Sequence, residues 1–283
     1  MAITEIIKTG EIIEQEKAGA MDSEKIQPWA DLFDKFTESE SVAFYFLLNA
    51  FTAKEKKPLF EQGAYDNRLY FIRSGRLELS YYDNEKNKSI AIAVLEKGDI
   101  AGEDTFFSFT NHTTTLIPLE DSDVFFLERN IFEKSLKDNP TIEPKLFDYC
   151  KKYLKTCRID EKNKGQARRI NERHQVSLRG QAQVVDKDGN RLRDSSSITI
   201  VDISDGGLCY VLRNVRKNGA ADLHAGWVNI KASYKTDSAT SELNELAKVV
   251  SVRLFPFEEC SVHVQFKSPL EKERLQAIVQ GNV

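Results

Sequence analysis

The strongest constraint on the fold is that the apolar residues switch to a period of two in two separate blocks. Residues 58 to about 127 contain the short runs "LYFIRSG", "RLELSYY", "SIAIAVL" and "DVFFL", separated by glycines or charged turns. Such runs, rich in β-branched and aromatic residues and too closely spaced for intervening helices, point to an antiparallel barrel or sandwich. A second block runs from about 174 to 267, with strands expected at "HQVSLRGQAQVV", "SSITIVDI", "GLCYVLRN", "GWVNIKASY", "AKVVSVRLF" and "SVHVQFKS". Between the blocks, "RNIFEKSLKDNPTIEPKLFDYCKKYLKTC" is helical. Ile142, Leu146, Tyr149, Cys150, Tyr153, Leu154 and Cys157 fall on one stripe, Thr141 stands as an N-cap and Pro144 lies in the first turn. A closing helix is expected at "PLEKERLQAIVQ".

With 283 residues the chain has room for two domains. The expected division is a helical N-terminal extension over 1–37, a first β-rich domain with its C-terminal helix over 38–158, a linker "IDEKNKGQA" over 159–167, and a second β-rich domain over 168–283. In the extension, Trp29, Leu32, Phe33 and Phe36 have helical spacing behind Pro28. Thr37 and Glu40 are spaced as a capping box, which would open a helix running to about Phe51.

The net charge of −4 argues against a general nucleic-acid binder. The apolar runs "VAFYFLLNAF" and "IAIAVL" fall short of the roughly 20 residues of a membrane helix, and the N-terminus lacks the pattern of a secretory leader. A soluble, cytoplasmic protein without membrane contact is expected. Cys150, Cys157, Cys209 and Cys260 form no CxxC pair and no metal-ligand spacing, so they read as small reduced core residues and no metal or cofactor is expected. No nucleophile elbow, P-loop or metal cluster suggests catalysis, nor does any motif for making or cleaving cyclic di-GMP.

In the first block, "FEQG", "LYFIRSG", "LEKGD" and "GED" resemble the cyclic-nucleotide-binding fold of the catabolite activator family, over about 38 to 158. The resemblance implies a β jelly roll. It also implies a phosphate-binding cassette, with Gly102 and Glu103 facing the ribose and an arginine followed by a hydroxyl residue gripping the cyclic phosphate. Here the arginine position holds His112, followed by Thr113, and no arginine occurs between Gly102 and Phe126. A neutral imidazole offers one donor where a guanidinium offers a charged fork, so a degenerate pocket is expected. The family's helix-turn-helix is replaced by strands, so direct DNA binding is not expected. A homodimer through the helix around 141–158 is consistent with the family.

In the second block, "RRINER" supplies Arg168 and the pair Arg169 and Arg173, spaced Arg-x-x-x-Arg. "DISDGG" supplies Asp202, Ser204, Gly206 and Gly207, spaced Asp-x-Ser-x-x-Gly. Either motif alone is a solvated basic face or a polar turn. Together, in this order around a strand pair, they resemble the PilZ domain, a six-stranded antiparallel barrel that binds cyclic di-GMP. The arginines suit phosphate and the guanine edge, and Asp202 can accept from guanine. Ser204 can bond the ligand or hold the turn, and Gly207 allows close approach. Arg168 favours an intercalated pair of ligand molecules, whereas His263 stands where such domains often have glycine and narrows the ligand side. The expected function is a non-enzymatic receptor for cyclic di-GMP that signals to a protein partner by domain reorientation. A dual sensor that also binds cAMP or cGMP, or an inert scaffold, is the alternative.

Overall fold

The computed structural model describes residues 21–83, 86–163, 172–213, 222–224, 226–236, 239–255 and 259–281, and of 153–163 the backbone alone. Internal packing divides the chain into two units, one of Met1–Phe106 and Asn111–Gln166, the other of Phe107–Thr110 and Ala167–Val283. The elements are mainly strands with some helices.

The first unit opens with α1 (Ser23–Ile26), a 3-10 turn (Gln27–Trp29) led by Pro28, α2 (Ala30–Phe33) and α3 (Glu38–Tyr45). Then come β1 (Asn49–Ala53), β2 (Arg68–Ile72), β3 (Leu77–Asp83), β4 (Lys88–Leu95), β5 (Ile100–Ala101) and α4 (Glu103–Phe106). After β6 (Ser108–Phe109), which belongs to the second unit, follow β7 (Thr115–Pro118), β8 (Ser122–Glu128), α5 (Arg129–Ser135) and α6 (Ile142–Asn163). Two sheets, β1-β8-β2-β5 and β4-β3-β7, share one core that includes Tyr70, Ile72 and Val124 from the first and Leu77, Leu95 and Leu116 from the second. The arrangement is jelly-roll-like. Gly63, Gly75 and Gly98 take the left-handed φ values of 84°, 88° and 96° that the reversals between strands require.

The run "LYFI" in β2 is buried on both faces because the helices before it cover the outer one. Trp29 stands edge-on to Phe71 at 5.4 Å and Phe44 to Phe71 at 6.2 Å, while Phe36 packs on Phe44 at 5.2 Å. The capping box at Thr37 and Glu40 is formed. Its helix stops at Tyr45, however, and the segment expected to continue as helix to Phe51 becomes β1. The apolar run fits either state, and pairing of Asn49–Ala53 against Ser122–Phe126 decides it. Similarly, α6 runs to Asn163, so the first part of the expected linker over 159–167 is helical. Residues 164–167 of that linker and 1–20 of the extension lie outside the described residues, as do the side chains of Tyr153, Leu154 and Cys157. On α6, Ile142, Leu146, Tyr149 and Cys150 are buried.

Glu40 links these helices to α6. It is buried, bonds the Thr37 backbone N–H and receives hydrogen bonds from Thr141 Oγ1 and from Lys145 Nζ, the latter at 2.6 Å. Burial works against ionisation of this carboxyl, yet the bonds from Lys145, Thr141 and the Thr37 backbone prevail and hold it at about 2, below its ordinary 4.5.

The second unit is built from β9 (His174–Val185), β10 (Arg191–Ser204), β11 (Gly207–Arg213), β12 (Trp227–Lys235), β13 (Thr240–Phe255), β14 (Glu259–Phe266) and α7 (Lys272–Gln280). All pairings are antiparallel in the order β12-β9-β10-β11-β14-β13-β6, with β12 also paired to β13. Each of the six long strands is thus paired on both sides. Alternating residues such as Leu178, Ile200, Leu208, Ile230, Val249 and Val262 fill one core, to which α7 adds Ile278. At Gly207 the backbones of β11 and β14 come so close that a Cβ would lie 2.1 Å from the Val264 carbonyl oxygen.

Two outcomes follow for the melting of the full chain. Because the folded carboxyl of Glu40 titrates below its ordinary value, its contribution is complete above about pH 4.5 and is lost as the pH falls through about 2. Glu40→Gln should therefore melt below the parent at pH 7, by about 1–2 kcal/mol, and the gap should close as the pH drops across that window. A gap unchanged at low pH would contradict the network. Gly207→Ala should cost about 1–3 kcal/mol from the backbone clash, whereas an unchanged melting temperature would contradict the close approach.

Candidate functional site

In the second unit, strand register assembles a row of polar side chains. Asp202 on β10 pairs with Cys209 on β11, Cys209 with His263 on β14, and His263 with Ser251 on β13. Arg173, just before β9, lies over this row. Its Nη1 donates to Asp202 Oδ1 at 3.0 Å and to His263 Nδ1 at 3.3 Å, and His263 Nε2 is 3.8 Å from Cys209 Sγ. Arg173 and Asp202 keep 27% and 15% of their side-chain surface, so the ion pair is half-sheltered and reachable from solvent. Burial, aided by the Asp202 carboxylate and opposed by Arg173, pushes the Cys209 thiol up to about 12. Cys209 therefore stays a protonated thiol that packs and accepts a weak hydrogen bond; it is not a nucleophile.

The rest of "DISDGG" shapes the turn. Ser204 is buried and its Oγ donates to the Gly207 carbonyl at 3.2 Å, a bond that holds the turn. The Gly206 carbonyl accepts from Phe266 N–H at 3.0 Å, which ties the turn to the end of β14, and Gly207 lies against Val264. Arg173, Asp202 and the turn are thus together, while Arg168 and Arg169 lie outside the described residues. Beside the turn, a cavity of about 520 Å³ is lined by Glu172, His174, Asp205 and, from α7, Lys272, Leu275 and Gln276. In the sequence His263 stands out only as a bulky replacement and Cys209 only as a small reduced core residue, and nothing there marks Asp205. Counting register outward from Asp202 would have placed the first two side by side.

In the first unit, Gly102 adopts φ 87° against the Arg68 carbonyl, where a Cβ would sit at 2.4 Å. Glu103 opens α4 and is buried. His112 is 2% exposed and lies flat on Phe60, with ring centroids 3.8 Å apart and planes at 8°. Its Nε2 is 3.5 Å from Thr105 Oγ1 and its Nδ1 3.7 Å from Asp104. The position where the resemblance implies an arginine is therefore filled by a packed ring. Thr113 is exposed and Thr114, the next residue, is the buried one. A basic group does reach the cassette, but from outside the motif. Arg129, the first residue of α5, is buried and its Nη2 donates to the Thr105 carbonyl in α4. Burial draws Arg129 below the ordinary arginine value, opposed by Tyr65 and Glu133. No spacing rule pointed to it.

Among the described residues no cluster of His, Cys, Asp or Glu is placed to hold a metal ion, and no helix is long and apolar enough to cross a membrane. The arrangement in the second unit offers fixed donors to an anion or a purine edge, with a carboxylate acceptor beside them.

No curated protein matches the chain in sequence. Among solved structures, a cyclic nucleotide-binding domain from Methylobacillus flagellatus is similar at 16% identity, over 53% of this chain and 87% of that one, with a TM-score of 0.46. A cyclic nucleotide-binding-like protein from Brucella abortus is 22% identical over 40% of this chain and 98% of its own, with a TM-score of 0.36. The Thermus thermophilus catabolite activator protein is 19% identical over 47% and 62%, with a TM-score of 0.39. Residues 51–139, most of them in the first unit, match the family model of the cyclic nucleotide-binding domain.

Proposed function

We propose that the chain is a non-enzymatic cytoplasmic receptor for cyclic di-GMP, that its second unit is a PilZ barrel over 168–283, and that it signals to a protein partner. The observation that carries this reading is the meeting of Arg173 and Asp202 at 3.0 Å, which joins in space two motifs separated in sequence. Six strands each paired on both sides, with Ser204 and Gly207 holding the "DISDGG" turn, support the barrel. Cyclic di-GMP presents two phosphates and two guanines. Arg169 and Arg173 would grip phosphate or the O6 and N7 edge, Asp202 would accept from guanine N1–H, and Arg168 would neutralise a second, intercalated ligand molecule. The receptor needs no cofactor or metal and makes no direct DNA contact. The cyclic nucleotide-binding domain acts as a folded module with a silent pocket, a reading supported by His112 stacked on Phe60 in place of the phosphate-gripping arginine.

Titration calorimetry on the full chain tests both halves. Cyclic di-GMP should bind in the micromolar range or tighter, and Arg169→Ala and Arg173→Ala should each weaken it at least about tenfold, since a charge-assisted contact is worth about 1.5–3 kcal/mol. cAMP and cGMP should give no heat and no thermal shift. Absence of cyclic di-GMP binding, or indifference to both substitutions, would end the receptor reading. Saturable cAMP or cGMP binding would replace the silent pocket with a dual sensor.

A further inference from the structure

We propose that His263 is a positioning residue of the ligand site, one that fixes the Arg173 guanidinium with its Nε–Nη2 edge offered to the ligand. The inference rests on the reading of the second unit as a cyclic di-GMP receptor and adds a member that neither sequence motif contains. A guanidinium only donates hydrogen bonds, so His263 Nδ1 at 3.3 Å must accept and carries no proton. The ring proton then sits on Nε2, facing Cys209 Sγ at 3.8 Å, where the thiol sulfur accepts it. Both neighbours thus select the same neutral tautomer.

The consequence lies in which donors of Arg173 are used. Nη1 carries two N–H groups and has two acceptors, Asp202 Oδ1 and His263 Nδ1. The three N–H groups on Nε and Nη2 have no hydrogen-bond partner among the described residues. Nε–H and the Nη2–H parallel to it form the flat edge that matches two phosphate oxygens or guanine O6 and N7. With one acceptor alone the long side chain could turn about the Asp202 contact. The second acceptor removes that freedom before the ligand arrives, so less rotamer entropy is lost on binding. The register of β11 and β14 places His263 for this role, opposite Cys209 and one strand further from Asp202. A glycine at 263 would leave Arg173 tethered on one side only.

The test is calorimetric titration of cyclic di-GMP into the full chain for the parent, His263→Ala, His263→Asn, Arg173→Ala and the double variant His263→Ala/Arg173→Ala, with melting curves to show that each is folded. His263→Ala should weaken binding about tenfold, the worth of one net hydrogen bond to a charged group. His263→Asn, whose Oδ1 stands in for Nδ1, should recover it to within about threefold. In the Arg173→Ala background the histidine substitution should change nothing further, because its effect passes through Arg173. The inference is overturned if the parent binds and Arg173→Ala weakens binding while His263→Ala is neutral or tighter, or if His263→Ala costs as much without Arg173 as with it. A parent that does not bind cyclic di-GMP overturns the receptor reading itself, which is a separate outcome.

Discussion

In the second unit one donor group is shared by acceptors from two strands. Arg173 Nη1 is divided between Asp202 and His263, and this ties the segment entering β9 to β10 and β14 across the width of three strands. A solvent-exposed ion pair alone would hold little. This one is half-sheltered, has a second acceptor, and sits on a row whose spacing the sheet fixes. The close approach of β11 and β14 at Gly207 is the other half of the same constraint. It keeps the "DISDGG" turn against β14, with Ser204 Oγ bonded to the Gly207 carbonyl and Asp202 bonded to Arg173. Arg173 therefore meets a surface already shaped by the strands that carry Asp202 and His263.

The first unit treats a comparable position differently. The resemblance to a cyclic nucleotide-binding domain implies a phosphate-gripping arginine in the cassette. Here the space is taken by His112 lying on Phe60, and the helix carbonyl of Thr105 is bound by Arg129 from α5. Arginine and imidazole thus act as packing and capping groups. The close approach of Gly102 to the Arg68 carbonyl shapes the backbone at the start of α4. The N-terminal helices close the outer face of β2 through Trp29 and Phe44, and Glu40 locks them to α6 through Thr141 and Lys145.

Much of this was legible in the sequence. The strand runs from Leu69 to Ile72 and from His174 to Val185, the capping box at Thr37, and the left-handed glycines at 63, 75 and 98 depend on local pattern and local sterics, which a sequence displays. The extension of the third helix to Phe51 failed because an apolar run has no preference of its own between helix and strand, and β8 supplied the partner that chose. The charged residues up to Asn163 read as linker by composition, yet they have adequate helix propensity and continue α6. Motif spacing singled out Arg173 and Asp202, which the structure brings together. The placement of His263 and Cys209 beside them was not visible, because it follows from lateral register between strands distant in sequence. Arg129 was invisible for a similar reason: it enters the cassette from a helix that follows the motif.

In the proposed complex Arg173, seated by Asp202 and His263, meets cyclic di-GMP through its Nε–Nη2 edge. The most direct measurement is the Arg173 Nε–H resonance in nitrogen-15 NMR spectra of the full chain, assigned by its loss in Arg173→Lys and followed through a titration with cyclic di-GMP. The account predicts one well-resolved signal in the free protein that moves saturably with ligand, at the same midpoint as the calorimetric titration. A resonance that stays in place at saturating ligand would contradict it.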